Sequence, residues 1–321
     1  MFFKRSILLV LISLSSLLPI SAIAQSSGSG TLSGTITDSS GAVIPEAEVT
    51  VRQTATGLER STKTNRNGLY SLPALRAGEY VIRAQALGFQ RIEQQGVALQ
   101  SDTTRTVNLQ LTVGAVSDAT TVTTAAPAIE TSEGSLNTII TGTQLSELAT
   151  NGRNFAQFLS LGTGVSSSQT GQRMGVGQEG NPLTSVNGGR INSNAFTYDG
   201  VLAMDTGGNR GLNLFPPMEA IQEIQVHKSN YTADIGSFGY SQVNVVTRSG
   251  GDKYHGDVYE VFSNDALNAR NYFNTSKPPL HDNNFGYDFG GRLLPGAKGS
   301  LVQNIFFFWS QAFDRRSRNQ G

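Results

Sequence analysis

Glu219–Asn274 reads EAIQEIQVHKSNYTADIGSFGYSQVNVVTRSGGDKYHGDVYEVFSNDALNARNYFN, and its pattern changes along its length. Ile224 and Val226 alternate with polar residues, the period of a β-strand with one face turned inward. After Gly250 and Gly251 a second pattern begins: Val258, Glu260 and Phe262 alternate against Asp257, Tyr259 and Val261. Two aromatic-rich segments follow. Asn283–Arg292 puts Phe285, Tyr287 and Phe289 on one face, and Asn304–Phe313 reads as a third strand. Alternating segments of about ten residues rich in aromatics suit a transmembrane barrel. Taken alone, they would suit a soluble sheet with inward aromatics better.

The quoted stretch resembles the end of the plug and the first barrel strand of TonB-dependent outer-membrane receptors. The Oar-like subgroup, in which an extra β-sandwich precedes the plug, is the best match. The resemblance is carried by Glu219-Ala-Ile-Gln-Glu-Ile-Gln-Val226, the Tyr231–Gly239 loop, Val243-Asn-Val-Val-Thr-Arg-Ser-Gly250 and His255-Gly256. It implies the front part of a membrane transporter and not a soluble enzyme.

Both the start of the chain and its composition agree with export. Lys4 and Arg5 precede an apolar run from Ser6 to Ile20, and Ala22-Ile-Ala24 gives a small-x-small cleavage pattern, so residues 1–24 read as a signal peptide. A fifteen-residue helix would cover only about 22 Å of a hydrocarbon core of roughly 30 Å, too little for an anchor. There is no Cys, which excludes a disulfide framework and a lipoprotein anchor. The 24 basic and 24 acidic residues cancel, so no field attracts nucleic acid. Charged residues are 15%, against about a quarter in ordinary domains, and glycine is frequent, as in loop-rich β proteins.

Thr31–Thr37, Ala47–Arg52, Leu69–Leu72 and Glu79–Ala84 are short β-prone runs separated by turn residues at Asp38–Gly41, Asn65–Gly68 and Gly88. Val107–Val113 alternates strictly, with Asn108, Gln110 and Thr112 on one face, and predicts an antiparallel strand half exposed to water. Together these runs predict a small β-sandwich over residues 31–113. The same stretch resembles the carboxypeptidase regulatory-like family, an immunoglobulin- or transthyretin-like fold. Its motif positions fall on Gly34, Asp38, Gly41, Pro45, Ala47, Val49, Gly68, Tyr70, Leu75, Gly78, Tyr80 and Gly88. That family is a non-catalytic appendage, so no peptidase activity follows. Tyr70 and Tyr80 are expected in the core and not on a sugar-binding face.

Residues 114–127 form a linker rich in small and β-branched residues, closed by Pro127. Within it, Asp118, Ala119, Thr120, Thr121, Val122, Thr123, Thr124 and Ala125 are similar to the TonB box, the extended strand that such receptors offer to TonB. An extended segment can join an exposed sheet edge by backbone hydrogen bonds. A plain linker or a last sandwich strand fits these residues equally well.

The plug is expected over 128–250 as a mixed α/β unit. Thr141-Gly-Thr-Gln144 suggests a capping box, and Asn151–Asn154 breaks that helix before Phe155, Phe158 and Leu159 begin another. Asp199-Gly200 between apolar runs predicts a hairpin, and Pro216-Pro217 another short helix. Gly175-Val-Gly-Gln-Glu-Gly180 matches GxGxxG but follows no strand, so a plug loop is expected. His227, His255 and His281 have no spacing suited to a metal or a triad. Asn187, Asn192, Asn194 and Asp199 could give oxygens to a cation, yet turn duty explains them.

The expected fold is mostly β: sandwich, mixed α/β plug, and the first strands of a transmembrane β-barrel over 251–321. Arg315–Gly321 reads as a polar turn, and only about three barrel strands can be counted, so the chain is expected to be an N-terminal part that cannot transport alone. The resemblance implies a cell outer membrane location, with the sandwich in the periplasm. The implied partners are the TonB energy-transducing complex, outer-membrane lipid and an extracellular substrate such as a carbohydrate or iron chelate. No cofactor and no nucleic acid are implied. The alternative reading is an adhesion, assembly or carbohydrate-binding surface protein that uses this architecture without active uptake.

Overall fold

The computed structural model describes residues 28–114, 119–123, 136–148, 153–167, 183–205, 211–231, 239–270, 272–273, 275–277, 279–294 and 304–318. The leader expected at 1–24 and the Gly175–Gly180 stretch lie outside the described residues.

The sandwich is built from β1 (Ser29–Asp38), β2 (Glu48–Gln53), β3 (Glu59–Lys63), β4 (Leu69–Arg76), β5 (Gly78–Gln85), β6 (Arg91–Leu99), β7 (Thr104–Thr106), β8 (Leu109–Leu111) and β9 (Ala119–Thr123). One sheet runs β4-β1-β7 with β8 also on β1, and the other runs β3-β2-β5-β6-β9. Alternate residues point inward, so Leu32, Ile36, Val49, Val51, Ile82, Leu109 and Leu111 fill the space between the sheets. Each such side chain contributes about 1.5–3 kcal/mol on burial. Tyr70 and Tyr80 are core residues as expected, and each hydroxyl donates to a carbonyl, of Val107 and Arg76 respectively, at 2.7 Å. Burial pushes the Tyr80 hydroxyl up to about 12 and the Tyr70 hydroxyl upward as well.

Three expectations change here. The run Val107–Val113 is not one antiparallel strand. β7 and β8 both pair with β1 in parallel, with a break between them. At the break, Val107 O accepts the Tyr70 hydroxyl, and the Asn108 side chain accepts Thr35 N at 2.9 Å in place of a backbone carbonyl. The close approach requires Gly34, where a Cβ would sit 1.9 Å from Val107 O. Second, β3 and β6 were not expected: Glu59–Lys63 has no apolar residue, and β6 opens with a polar stretch, Arg91–Gln95, broken only by Ile92. Third, the Leu69–Leu72 run continues through Pro73 to Arg76, tolerated because β4 lies at a sheet edge.

The plug comprises β10 (Leu136–Thr141), α1 (Gly142–Glu147), β11 (Val165–Ser167), β12 (Thr184–Val186), β13 (Asn194–Tyr198), β14 (Val201–Leu202), β15 (Ile221–Ser229) and β16 (Ser241–Thr247). Its main sheet runs β10-β15-β16-β13-β14. The capping box forms: Thr141 and Gln144 satisfy each other's backbone N–H groups at the start of α1. The second helix is a 3-10 turn, Phe155–Leu161, capped by Asn154, and it packs Phe155, Phe158 and Leu159 on the apolar sheet face formed by Ile140, Phe196, Ile224, Val226, Val243 and Val245. Asp199 and Gly200 both take positive φ, 48° and 80°, and make the β13–β14 hairpin. Pro217 caps a 3-10 turn at Met218–Ala220.

β17 (Val258–Asn264), β18 (Leu280–Arg292) and β19 (Phe306–Arg318) form an antiparallel meander. The Arg315–Arg318 run, expected as a turn, instead pairs with Leu280–Asn283. Period two sorts the residues of β18 cleanly. Asp282, Asn284 and Asp288 are buried on one face, while Tyr287 and Phe289 are exposed on the other beside Trp309 and Phe313 of β19. That is the inward-polar, outward-apolar alternation of a membrane barrel wall.

Candidate functional site: an edge strand and a polar seam

Of the eight residues similar to a TonB box, Ala119, Thr120, Thr121, Val122 and Thr123 form β9, while Asp118, Thr124 and Ala125 lie outside the described residues. β9 pairs in parallel with β6, from Arg91↔Ala119 to Gln95↔Thr123, and is the terminal strand of its sheet. Only one of its two backbone edges is thus engaged within that sheet. The other edge has the geometry a further strand needs in order to add.

β6 ends at Leu99, and the loop that follows reaches the plug. Here the sandwich meets the sheet face opposite the apolar one, along the polar positions of β15 and β16. Glu223 accepts Ser101 N at 2.9 Å and the Gln225 amide at 2.9 Å, and the same amide donates to Ser101 O. Asp102 accepts the Asn244 amide at 2.9 Å. Asn244 in turn accepts the Thr197 hydroxyl at 2.9 Å and Gly200 N at 3.2 Å, which ties the seam to the β13–β14 hairpin. Gln222 donates to Ala77 O at 3.3 Å, and Asp252 N donates to Ala55 O at 2.7 Å just beyond the plug. Ser101, Glu223, Gln225 and Asn244 are all buried. Removal from water pushes the Glu223 carboxyl above its ordinary range, and the Ser101 hydrogen bonds oppose that shift. A cleft of about 440 Å³ beside the seam is lined by Arg76, Gln222, Thr247 and Arg248 among others.

The plug is tied to the wall at Arg153, within the Asn151–Asn154 run. Its guanidinium pairs with Glu219 at the start of the strand motif and lies 5.2 Å from the ring centre of Tyr259 on β17.

The histidines stay apart. His227 contacts Asn137 at 3.1 Å in the plug, His255 bridges Gly290, and His281 lies beside Asn264 and Asp265. Asn194 and Asp199 are committed to the fold: Asn194 bonds Thr184 O and the Ser241 hydroxyl, and Asp199 accepts from Thr247 twice. Asn187 sits in a turn at φ 52°. Among the described residues no group of three or more His, Asp or Glu side chains is arranged to hold a metal ion. The seam residues were missed in the sequence because Glu223, Gln225 and Asn244 read as ordinary water-facing positions of alternating strands.

Comparison with known proteins agrees with the resemblance. Residues 31–112 match the carboxypeptidase regulatory-like domain, and residues 246–321 match an outer membrane beta barrel domain. The chain is 26% identical over 249 residues to the TonB-dependent transporter Oar of Myxococcus xanthus, across 74% of this chain and 22% of that protein. It therefore spans about a fifth of the length of that curated relative. Solved structures that match part of the chain include the siderophore receptor PirA from Acinetobacter baumannii, at TM-score 0.40 and 17% identity over 56% of this chain and 24% of that one. The outer membrane transporter YddB from Escherichia coli matches at TM-score 0.39 and 15% identity, over 49% and 24%. The chain is thus related to an Oar-type TonB-dependent transporter, with a regulatory-like sandwich and a barrel segment, and its place is the cell outer membrane.

Proposed function

We propose that this chain is the energy-coupling and plug portion of an outer-membrane receptor that takes up an extracellular substrate with force delivered by TonB. After removal of residues 1–24, the sandwich (31–113) lies in the periplasm, the plug (128–250) fills the lumen, and the wall begins at 251. Residues 118–125 are the segment offered to TonB; the 114–127 stretch expected as a linker contains β9, Ala119–Thr123, the last strand of a sandwich sheet. The role is non-catalytic and needs no bound cofactor. A carbohydrate or an iron chelate is the substrate class in view.

The observation that carries this reading is the position of β9. It is the edge strand of a sandwich sheet and the last described element before the plug in the chain, so a strand added there is linked to both. Photo-crosslinking from Asp118–Ala125 in whole cells tests it. Adducts to TonB are expected at alternate positions, because strand pairing turns every second side chain to the same side. A protein that reaches the outer membrane yet gives no adduct along the segment would sink the reading and leave a surface adhesion or assembly role.

A further inference from the structure

The seam has a mechanical property that neither domain has alone. Its hydrogen bonds join side chains of β15 and β16 to the 100–103 loop and to Ala77 O, with Asp252 N to Ala55 O beside them. Among the described residues the hydrophobic clusters of sandwich and plug are separate, with no cluster shared across the seam. Each such bond contributes little net, because water replaces it when the partners separate. It also has a short range: beyond roughly 3.5 Å it is gone. A contact of this kind is firm when closed and is lost over a travel of an ångström or two. An apolar contact of equal area would resist separation by exposing its surface to water.

The seam also sits where a pull on β9 arrives first. β9 is zipped to β6, and Ser101 and Asp102 follow directly after β6 ends at Leu99. The covalent route from β9 to the plug is the twelve residues 124–135, a length of chain that reaches about 40 Å when fully extended. The hydrogen-bonded route is closed from the outset. It enters the plug at Glu223 and Asn244, and Asn244 carries it on to Thr197 and Gly200.

We propose that the 100–103 loop is a release joint, which holds the sandwich to the polar face of the plug sheet at rest and parts when β9 is drawn away. This rests on the reading that TonB takes hold of β9. The joint passes the first displacement to β15 and β16 and then frees the plug to move independently of the sandwich.

The chain has no cysteine, so single reporters are clean. Ser101→Cys and, separately, Thr103→Cys place a thiol in the buried loop, and Ala84→Cys places one in the sandwich core. Each is made in the protein produced in its own cell and labelled with a small maleimide, with and without TonB. A photo-crosslinker at Thr121 reports in parallel whether TonB engages. The expected result is labelling at 101 and 103 several-fold higher with TonB, with position 84 unlabelled throughout. Equal labelling at 101 and 103 in the two strains, alongside a Thr121–TonB adduct, would overturn the joint and leave the TonB reading standing. Labelling of position 84 together with 101 would overturn it too, since the sandwich would be unfolding. Absence of the adduct would remove the TonB reading and the joint with it.

Discussion

Asn244 and Asp102, 142 residues apart in sequence, share a hydrogen bond of 2.9 Å that joins a plug strand to the sandwich. The bond belongs to a seam in which Ser101 N and the Gln225 and Asn244 amides, taken out of water, find acceptors across it. Asp102→Ala strands the Asn244 amide in a buried position and should cost about 1–3 kcal/mol. Asp102→Asn keeps an acceptor and should cost less. Limited proteolysis of the 114–135 region reports the difference, with the alanine variant cut faster and the asparagine variant close to wild type.

Glu223 makes the seam depend on pH. Burial raises its carboxyl above the ordinary 4.5 in the folded state. Between that value and the raised one, the folded protein binds more protons than the unfolded one, so stability falls as pH rises through this window. Glu223→Gln keeps the acceptor oxygen and removes the charge. The variant should be at least as stable as wild type at neutral pH, with a flatter profile above pH 4.5. A denaturation midpoint that follows the wild-type pH slope would contradict this.

Gly34 and Tyr70 together fix the break between β7 and β8. Gly34→Ala drives a Cβ against the Val107 carbonyl and Tyr70 ring and should destabilise the sandwich by about 3 kcal/mol or more. Tyr70→Phe removes only the hydroxyl bond to Val107 O and should cost about 1 kcal/mol. Urea midpoints of the two variants should therefore be well separated, with alanine the lower.

Arg153→Ala leaves Glu219 partly buried without its guanidinium and should cost about 3 kcal/mol, at the low end for a buried pair because both groups keep some solvent contact. Arg153→Lys retains the charge but loses the planar fit over Tyr259 and should fall between. The temperature at which the folded band converts on a gel would order the three proteins.

The outward face of the wall should behave as a lipid surface. Phe289→Arg or Trp309→Arg puts a charge into hydrocarbon and should cost about 2–4 kcal/mol near the bilayer midplane. Serine at the same positions should cost much less. Assembly yield in the outer membrane is the readout, and tolerance of arginine at both positions would contradict the assignment.

Local chemistry was legible where a few neighbouring residues decide the outcome. The Thr141–Gln144 capping box, the Asp199-Gly200 hairpin and the inward tyrosines could be read directly, because each depends on spacing within one turn or one strand. β3 could not, since Glu59–Lys63 carries no apolar residue and is held as a strand only by β2 beside it. Arg315–Arg318 looked like a turn for a similar reason: its strand state comes from pairing with β18.

What the sequence determined by itself was the alternation that makes each strand two-faced and the turns that separate the strands. The tertiary structure alone decided what covers each face. Glu223, Gln225 and Asn244 have the pattern of residues that face water, yet they are buried because the 100–103 loop supplies the hydrogen bonds that water would. β9 likewise has the composition of a linker, and it is a strand because β6 offers an unpaired edge. Period and turn chemistry act over a few residues, whereas satisfying a buried polar group requires a partner that only the folded chain brings within 3 Å.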